Sequence, residues 1–438
     1  MGVPWLASLA IALFCWLAIA LWGAVLTATW AGLLAGIGQR CWQQQPPSWA
    51  LTGRRLLVGI ALWCGCEALW SAGPLWWTAL AYTQSPQNLW ILHLGQVSGP
   101  TAIAAVLVGV NGALAEALGA WRQARPRAKG YLGLAIALFL SAHALGAVLY
   151  AQPRAAGEPL RVGIVQGNIP NTIKLSPEGW RRAIAGYTSG YQQLVAQGVD
   201  VVLTPETALP FYWERQRAQS SLYQAIRESG IPAWVGAYGD QGHRYTNSLF
   251  TVTGDGATYS RYDKVKLVPL GEYIPFEPLL GRLISRLSPL EAQLAAGAPT
   301  QVFDTPWGRA IVGICYESAF PRHFRRQTAA GGEFILTASN NAHYSAAMPA
   351  QHHAQDVLRA IESDRWAARA TNTGYSAFVS PRGETLWIGP LDEYALQAGT
   401  IERRHSRTLY VRWGDWLLWL LLVLGGLSLR DWGLGIRG

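Results

Sequence analysis

An α/β domain carried between membrane-spanning helices is the fold class that the sequence predicts, and three observations predict it. Half of the 438 residues are hydrophobic, which suits either a large soluble protein or a membrane protein with a soluble domain, so their distribution decides. Charged side chains are almost absent from residues 1–39, 68–115 and 130–153, whereas residues 154–412 have the charge density of an ordinary globular domain. Apolar stretches near the ~20 residues that a helix needs to cross a bilayer lie at 4–37, 56–77, 97–120, 130–150 and 413–429. Between them, strand-like and helix-like patterns alternate as in a sheet covered by helices. The expected organisation is a membrane part of about four spans at 1–150, an external domain at 151–412, and a final span with a short tail at 413–438.

The net charge of +9 invites a nucleic-acid reading, and its location removes it. Residues 1–150 hold seven basic side chains, Arg40, Arg54, Arg55, Arg122, Arg125, Arg127 and Lys129, against Glu67 and Glu116. All seven fall in two loops, 38–55 and 121–129, and the loop between them, 78–96, has none. By the positive-inside rule the two basic loops are cytoplasmic and the loop between them is external. The alternation places 151–412 outside the cytoplasm and returns the last span inward, toward Arg430 and Arg437. The basic balance therefore reads as topology. The first stretch, as one helix, would be roughly 51 Å long. One tilted span is preferred over two short ones because no polar turn residue interrupts it. The absence of a basic leader and the length of the apolar run argue against a signal peptide.

In the external domain, 151–159 reads as a linker and 162–169 as a first strand. Ser176-Pro177-Glu178 has the cap, proline and acid order of a helix start, and that helix should run to about Gly198. A second buried strand follows at 200–204, a helix at 220–229 stopped by Gly230, and a third strand at 232–239. Segments 247–253 and 257–262 resemble a hairpin around Gly254-Asp255-Gly256. The β-branched run Ile311-Val312-Gly313-Ile314 reads as a buried strand ending at Cys315, with a helix opening near Phe320-Pro321. A strand at 334–339, a long helix through 351–370, and a strand pair at 374–379 and 385–388 complete the pattern.

Candidate chemistry gathers at strand ends. Cys15, Cys64 and Cys66 lie in apolar spans and Cys41 in a cytoplasmic loop, so Cys315 is the single cysteine of the external domain. Structural cysteines in an oxidising compartment come in pairs, so an unpaired one is a candidate reactive thiol. At a strand-to-helix corner it would stand beside unpaired backbone N–H groups able to hold an oxyanion. Glu206, in Thr204-Pro205-Glu206-Thr207, follows the second strand and offers a proton acceptor where open α/β sheets place ligands. Lys264 and Lys266 follow another strand, where a lysine could lower the thiol pKa and bind an oxyanion. Glu272 and Glu317 could orient that lysine or pair with it. His343, His352 and His353 lack metal-ligand spacing and read as solvated or core histidines. No phosphate-binding glycine fingerprint occurs, so neither a metal nor a cofactor is expected.

The segments TPETALP, YDKVKLVPLGEYIPF and GICYES together resemble the nitrilase superfamily, in which Glu, Lys and Cys stand at strand ends in that chain order. A nitrilase-like domain between apolar spans is similar to the apolipoprotein N-acyltransferase family. Further likenesses are Val165-Gln166-Gly167-Asn168-Ile169-Pro170, Asn247-Ser248-Leu249, Gln351-His352, Arg369 to Gly374, Glu67 and Tyr82-Thr83-Gln84. The resemblance implies a nitrilase-like α-β-β-α sandwich outside the cytoplasm and makes Cys315 the nucleophile, Glu206 the general base and Lys264, rather than Lys266, the oxyanion-stabilising cation. Glu272 and Glu317 become supporting acids. Tyr273, Phe276, Leu279, Asn341, His343 and Tyr344 become substrate-binding candidates, the first three on an apolar stretch, 273–290, suited to lipid.

The resemblance also implies a reaction: an acyl chain passes from a membrane phospholipid to Cys315 as a thioester, then to the α-amine of a diacylglyceryl-cysteine at a lipoprotein's N-terminus. Its setting would be the bacterial cytoplasmic membrane, with the catalytic domain on the external side. Two alternatives stay open, a membrane-tethered amidase or C–N hydrolase on the same residues and a non-catalytic lipoprotein-binding relative. The chain departs from the family pattern at Asn340-Asn341-Ala342-His343-Tyr344, where an Asp and a Trp are usual after the Asn. It also departs at Ser71, where a basic residue is usual, and in a shorter N-terminal membrane part.

Overall fold

A computed structural model describes residues 5–42, 45–73, 75–122, 124–242, 244–269, 271–273 and 294–430. Phe276, Leu279 and most of the 273–290 stretch lie outside the described residues. By its internal contacts the chain forms two units: residues 1–81, 100–145 and 415–438 make one, and residues 82–99 and 146–414 the other.

The second unit is built on two sheets. One has the order β13 (Ala395–Arg403), β1 (Glu158–Gln166), β2 (Val201–Leu203), β4 (Ala233–Gln241), β5 (Arg244–Val252), β6 (Thr258–Asp263), with β3 (Leu209–Tyr212) also pairing β4. The other has the order β12 (Thr385–Ile388), β11 (Ala377–Val379), β10 (Ala367–Thr371), β9 (Phe334–Ser339), β8 (Gly308–Ile314), β7 (Phe303–Thr305). The inner strands β1, β2 and β4 run parallel, as do β8, β9 and β10. Parallel strands are covered on both faces and so read as unbroken apolar runs, which is why 200–204, 311–314 and 334–339 are legible as strands.

Two apolar layers hold these sheets. Val162, Ile164, Leu203, Trp234 and Leu249 from one sheet meet Val312, Ile314, Phe334, Leu336 and Phe378 from the other. On its outer face the first sheet packs Val165, Val202, Val235 and Phe250 against Tyr187, Tyr191, Leu194, Leu222 and Ile226 of two helices. Those helices are Pro177–Ala196, capped where the Ser176 hydroxyl accepts the Gly179 N–H at 3.2 Å, and Ser221–Ser229, ended by Gly230 at φ +72°. Helices Pro321–Ala329 and Ala347–Ser363 accompany the second sheet. The result is the expected nitrilase-like α-β-β-α sandwich.

The first strand, expected at 162–169, is Glu158–Gln166, and three further elements depart from expectation. The helix expected through 351–370 ends at Ser363, Asp364 takes a left-handed φ of +52°, and Ala367–Thr371 is strand β10 between β9 and β11. Ala-Ala-Arg-Ala favours helix locally, but a central slot in a sheet outweighs propensities of a few tenths of a kcal/mol per residue. The expected third strand extends to Gln241 and pairs antiparallel with β5 along its whole length. The segment before the last apolar helix, 395–403, is β13, antiparallel to β1 from Glu158↔Arg403 to Gln166↔Ala395, a closure between chain-distant strands with no local signal.

In the first unit, helices Trp5–Ile37, Trp49–Ala72 and Pro100–Ala120 are long and apolar enough to cross a membrane, as is Arg125–Ala151, whose last turns belong to the second unit. The first stretch is one continuous helix. Trp416–Leu429 is apolar but shorter. Small residues allow close packing here: Ala61, Cys64 and Ala104 meet Leu418 and Leu421. The Glu67 carboxylate accepts the Leu80 N–H at 2.6 Å, and Thr101 donates to Asp415 at 2.5 Å.

Segment 82–99, part of the loop between the second and third apolar helices, belongs to the sandwich unit. Ser85 Oγ donates to the Ala354 carbonyl at 2.6 Å, Gln96 Nε2 to the Ile361 carbonyl at 3.2 Å, and Tyr82 Oη to the Ala319 carbonyl at 3.4 Å. Helix Ala347–Ser363 is thus held at Ala354 and Ile361 by a segment more than 250 residues earlier in the chain.

Trp234 is fully buried between the sheets, its ring against Trp307 and Phe334. Trp234→Ala is expected to lower stability by about 3–5 kcal/mol, read as a lower unfolding temperature in detergent with the membrane helices still inserted.

Candidate active site

Three strand ends and one loop bring the polar site together. After β2 the chain turns through Pro205, Glu206 and Thr207, with Thr207 at φ +48°. The Thr204 hydroxyl donates to the Trp234 carbonyl at 3.2 Å and accepts the Gly236 N–H at 3.0 Å, which pins this turn to β4. The approach is so close that a Cβ on Gly236 would lie 2.0 Å from the Pro205 carbonyl oxygen. Only glycine leaves room there.

Lys264 follows β6 and is 1% exposed. Its ammonium donates to Glu206 Oε1 at 3.1 Å and to Glu272 Oε1 at 2.7 Å. Asn247 Nδ2 donates to Glu206 Oε1 at 2.6 Å, and the Val268 N–H donates to Glu272 Oε2 at 2.8 Å. Among the described residues Glu206 Oε2 accepts no hydrogen bond, and the third Lys264 N–H has no partner. Burial opposes the Lys264 charge, but Glu206 and Glu272 outweigh it and hold the pKa well above the ordinary lysine value. Burial likewise opposes a charge on Glu206, yet Lys264 and then Lys174 bring its pKa below the usual carboxylate range. Burial pushes Glu272 up, against the attraction of Lys264.

Cys315 ends β8 at φ +51°, in the left-handed region, and a 3-10 turn from Cys315 to Ala319 follows. A β-carbon there costs on the order of 1–3 kcal/mol and persists when the surroundings hold it. Glu317 is one holder. Fully buried, it accepts N–H groups from Ile314 at 2.8 Å, Val265 at 2.7 Å and Lys266 at 3.0 Å, and the Tyr262 hydroxyl at 3.1 Å. It therefore ties the cysteine corner to the lysine loop through the backbone. His352 is the other holder, its Nε2–H donating to the Cys315 carbonyl at 2.9 Å while Nδ1 accepts from Asn341 Nδ2 at 3.2 Å. Burial, then the Arg369 charge, push His352 down to about 3, so this ring stays neutral. Burial pushes the Cys315 thiol up to about 12; Glu206 adds to that rise, and Lys264 and the Asn340 N–H oppose it. The resting centre is a neutral thiol beside an ionised carboxylate.

The other expected residues are placed as follows. Lys266 projects over the Phe320 ring at 5.0 Å, so Lys264 is the lysine of the cluster. Asn341 is buried, with its Oδ1 accepting from Arg369 at 3.3 Å, and Arg369 pairs in turn with Asp356. His343 is exposed and its Nδ1 accepts from Asn171 Nδ2 at 3.0 Å. Tyr344 is 49% exposed and lies within electrostatic reach of Cys315. Tyr273 is half-buried and bridges Pro269.

One residue at the centre escaped the reading of the sequence. Lys174, on the short helix Asn171–Lys174, is 5% exposed, and its ammonium donates to the Glu206 carbonyl at 3.2 Å. Nothing local separates it from a solvated lysine, because its partner lies 32 residues away.

Comparison with known proteins agrees with this fold. The family model for carbon-nitrogen hydrolase matches residues 161–408, which is the two-sheet unit with its cysteine corner. Among curated relatives, an apolipoprotein N-acyltransferase from a Nostoc species is 57% identical, over 100% of this chain and 84% of its own length. One from a Synechocystis species is 52% identical over 98% and 84%, and one from Methylococcus capsulatus 31% identical over 89% and 74%. An amidase structure from Nesterenkonia is 20% identical, covering 62% of this chain and 98% of that one at a TM-score of 0.44. The chain belongs to the apolipoprotein N-acyltransferase family of carbon-nitrogen hydrolases.

Two outcomes test the site. Gly236→Ala is expected to displace the Glu206 turn and slow reaction at Cys315 by about tenfold or more, read by mass spectrometry of the protein with a thiol-directed acyl donor. Because its thiol is held high, Cys315 alkylation by a small reagent should keep rising with pH through 10. A plateau near pH 8 would mean an activated resting thiolate.

Proposed function

We propose that this chain takes an acyl chain from a membrane phospholipid onto Cys315 and passes it to the N-terminal α-amine of a diacylglyceryl-cysteine lipoprotein. The observation that carries the reading is the Glu206–Lys264–Glu272 cluster set against a left-handed Cys315, in a chain that aligns over nearly its whole length with relatives named apolipoprotein N-acyltransferase. Helices long enough to cross a bilayer suit an enzyme whose two substrates are both lipids, with the sandwich unit on the external face of the cytoplasmic membrane.

Glu206 Oε2, the carboxylate oxygen without a partner among the described residues, takes the Cys315 proton as Sγ attacks the ester carbonyl carbon. The third N–H of Lys264 meets the developing oxyanion, where a fixed donor in a dry site is worth far more than in water. The intermediate collapses by breaking the ester C–O bond. Glu206 returns the proton to the glyceryl oxygen, and the lysophospholipid leaves. In the second half the lipoprotein amine attacks the thioester carbonyl and gives its proton to Glu206. The C–S bond breaks, and that proton restores the thiol. Glu272 holds Lys264 in line, and Glu317 holds the backbone of the corner. Tyr273, Phe276, Leu279, His343 and Tyr344 are offered as substrate contacts, with Asn341 acting on the site through His352.

Purified protein given labelled phospholipid should gain an acyl adduct on Cys315, by mass spectrometry, and lose it to an added diacylated lipopeptide with a free amine. Cys315→Ala should abolish the adduct, and Lys264→Ala should cut transfer by about 100-fold or more, with the protein still inserted. Adduct release to water but not to the amine would make the chain a hydrolase instead.

A further inference from the structure

We propose that Lys174 is the second cation of the active centre, a positioning residue that keeps Glu206 in its ionised, proton-accepting form and balances the charge that Lys264 alone leaves over. The inference rests on the acyl-transfer reading and adds a residue to it. Lys264 faces two carboxylates, Glu206 and Glu272, so one positive charge meets two negative ones at largely buried positions. An uncompensated buried charge costs several kcal/mol. Lys174 supplies the missing charge from another direction. Its side chain is buried and its ammonium sits on the Glu206 backbone carbonyl. That is the only hydrogen bond it makes among the described residues, so two N–H donors remain inside the cluster.

The titratable groups facing Lys174 are Glu206 on the turn after β2, Cys315 at the end of β8, and His343 on the connection after β9. Lys264 and Glu272 face Glu206 from the loop after β6, and Tyr238 and Tyr344 add hydroxyls that partial burial and the neighbouring acids hold above the ordinary tyrosine value. Burial opposes the Lys174 charge most, Glu206 and Cys315 support it, and the balance brings the ammonium down to about 8. Below that pH the two lysines match the two acids. Above it the centre gains a net negative charge, which raises the affinity of Glu206 for a proton and disfavours thiolate at Cys315. Lys264, held well above the ordinary lysine value, does not titrate in this range. The centre should therefore lose activity as Lys174 loses its proton.

The test uses the full chain in detergent with labelled phospholipid, reading the initial rate of lysophospholipid release from pH 6 to 10 for wild type, Lys174→Arg and Lys174→Met. The wild-type rate should fall above about pH 8. Lys174→Met should be slower by about tenfold or more at neutral pH, one pKa unit on the Cys315 thiol being worth tenfold in thiolate, with no further fall near pH 8. Lys174→Arg, which keeps the charge at every pH, should recover the rate and carry it past pH 8 without the fall. Alkylation of Cys315 by a small reagent, measured on the same three proteins, should be slower in Lys174→Met and restored in Lys174→Arg.

Equal pH profiles in all three proteins would overturn the proposal. So would equal losses in both variants with an unchanged profile, since a merely structural lysine would act that way. If wild type released no lysophospholipid while Cys315 alkylated normally, the acyl-transfer reading would fail, and the alkylation series alone would decide Lys174.

Discussion

The rest of the site depends on one ammonium group. Lys264 lies 3.1 Å from one buried carboxylate and 2.7 Å from another, and each of the three would be costly without the others. That mutual need joins the strand end after β2, the strand end after β6 and the loop at Glu272, with Asn247 on β5 as a fourth tie. It also divides the labour among atoms. Glu206 Oε1 takes the lysine and the Asn247 amide, and Oε2 is left for a proton. Glu272 accepts on both oxygens, which suits a support rather than a base.

Cys315 adds a backbone constraint to this electrostatic one. Its left-handed φ stands because Glu317 gathers N–H groups from Ile314 on the corner and from Val265 and Lys266 on the lysine loop, and His352 holds the carbonyl. The helix that carries His352 is in turn fixed by Asp356 with Arg369 and by segment 82–99 through Ser85 and Gln96. A thiol kept protonated by burial next to a carboxylate kept ionised by lysines fits a nucleophile formed as it reacts, with its proton moved in the same step.

Much of this was legible in the sequence, for reasons specific to each element. Runs such as Ile311–Ile314 and Phe334–Ser339 announce strands because parallel strands buried on both faces must be apolar throughout. Glu206 and Cys315 announced themselves by standing just after such runs, and Lys264 by following the second strand of a hairpin. Ala367–Thr371 did not, because its composition favours helix and its sheet position is set by β9 and β11. Glu317 was legible as an acid near Cys315, but its backbone partners at Val265 and Lys266 were not. His352 looked like a core histidine and is one, with its ring nitrogens holding the Cys315 carbonyl and Asn341.

Sequence by itself determined the apolar helices, the α/β sandwich and the order of Glu, Lys and Cys along the chain, because local periodicity, charge content and strand-end position are written within a few residues of each other. Tertiary structure alone decided that β13 closes onto β1, that segment 82–99 belongs with the sandwich, and that Lys174 stands behind Glu206. Those facts rest on contacts between residues tens to hundreds of positions apart, and burial turns an ordinary surface-type side chain into part of a centre only once the chain has folded around it.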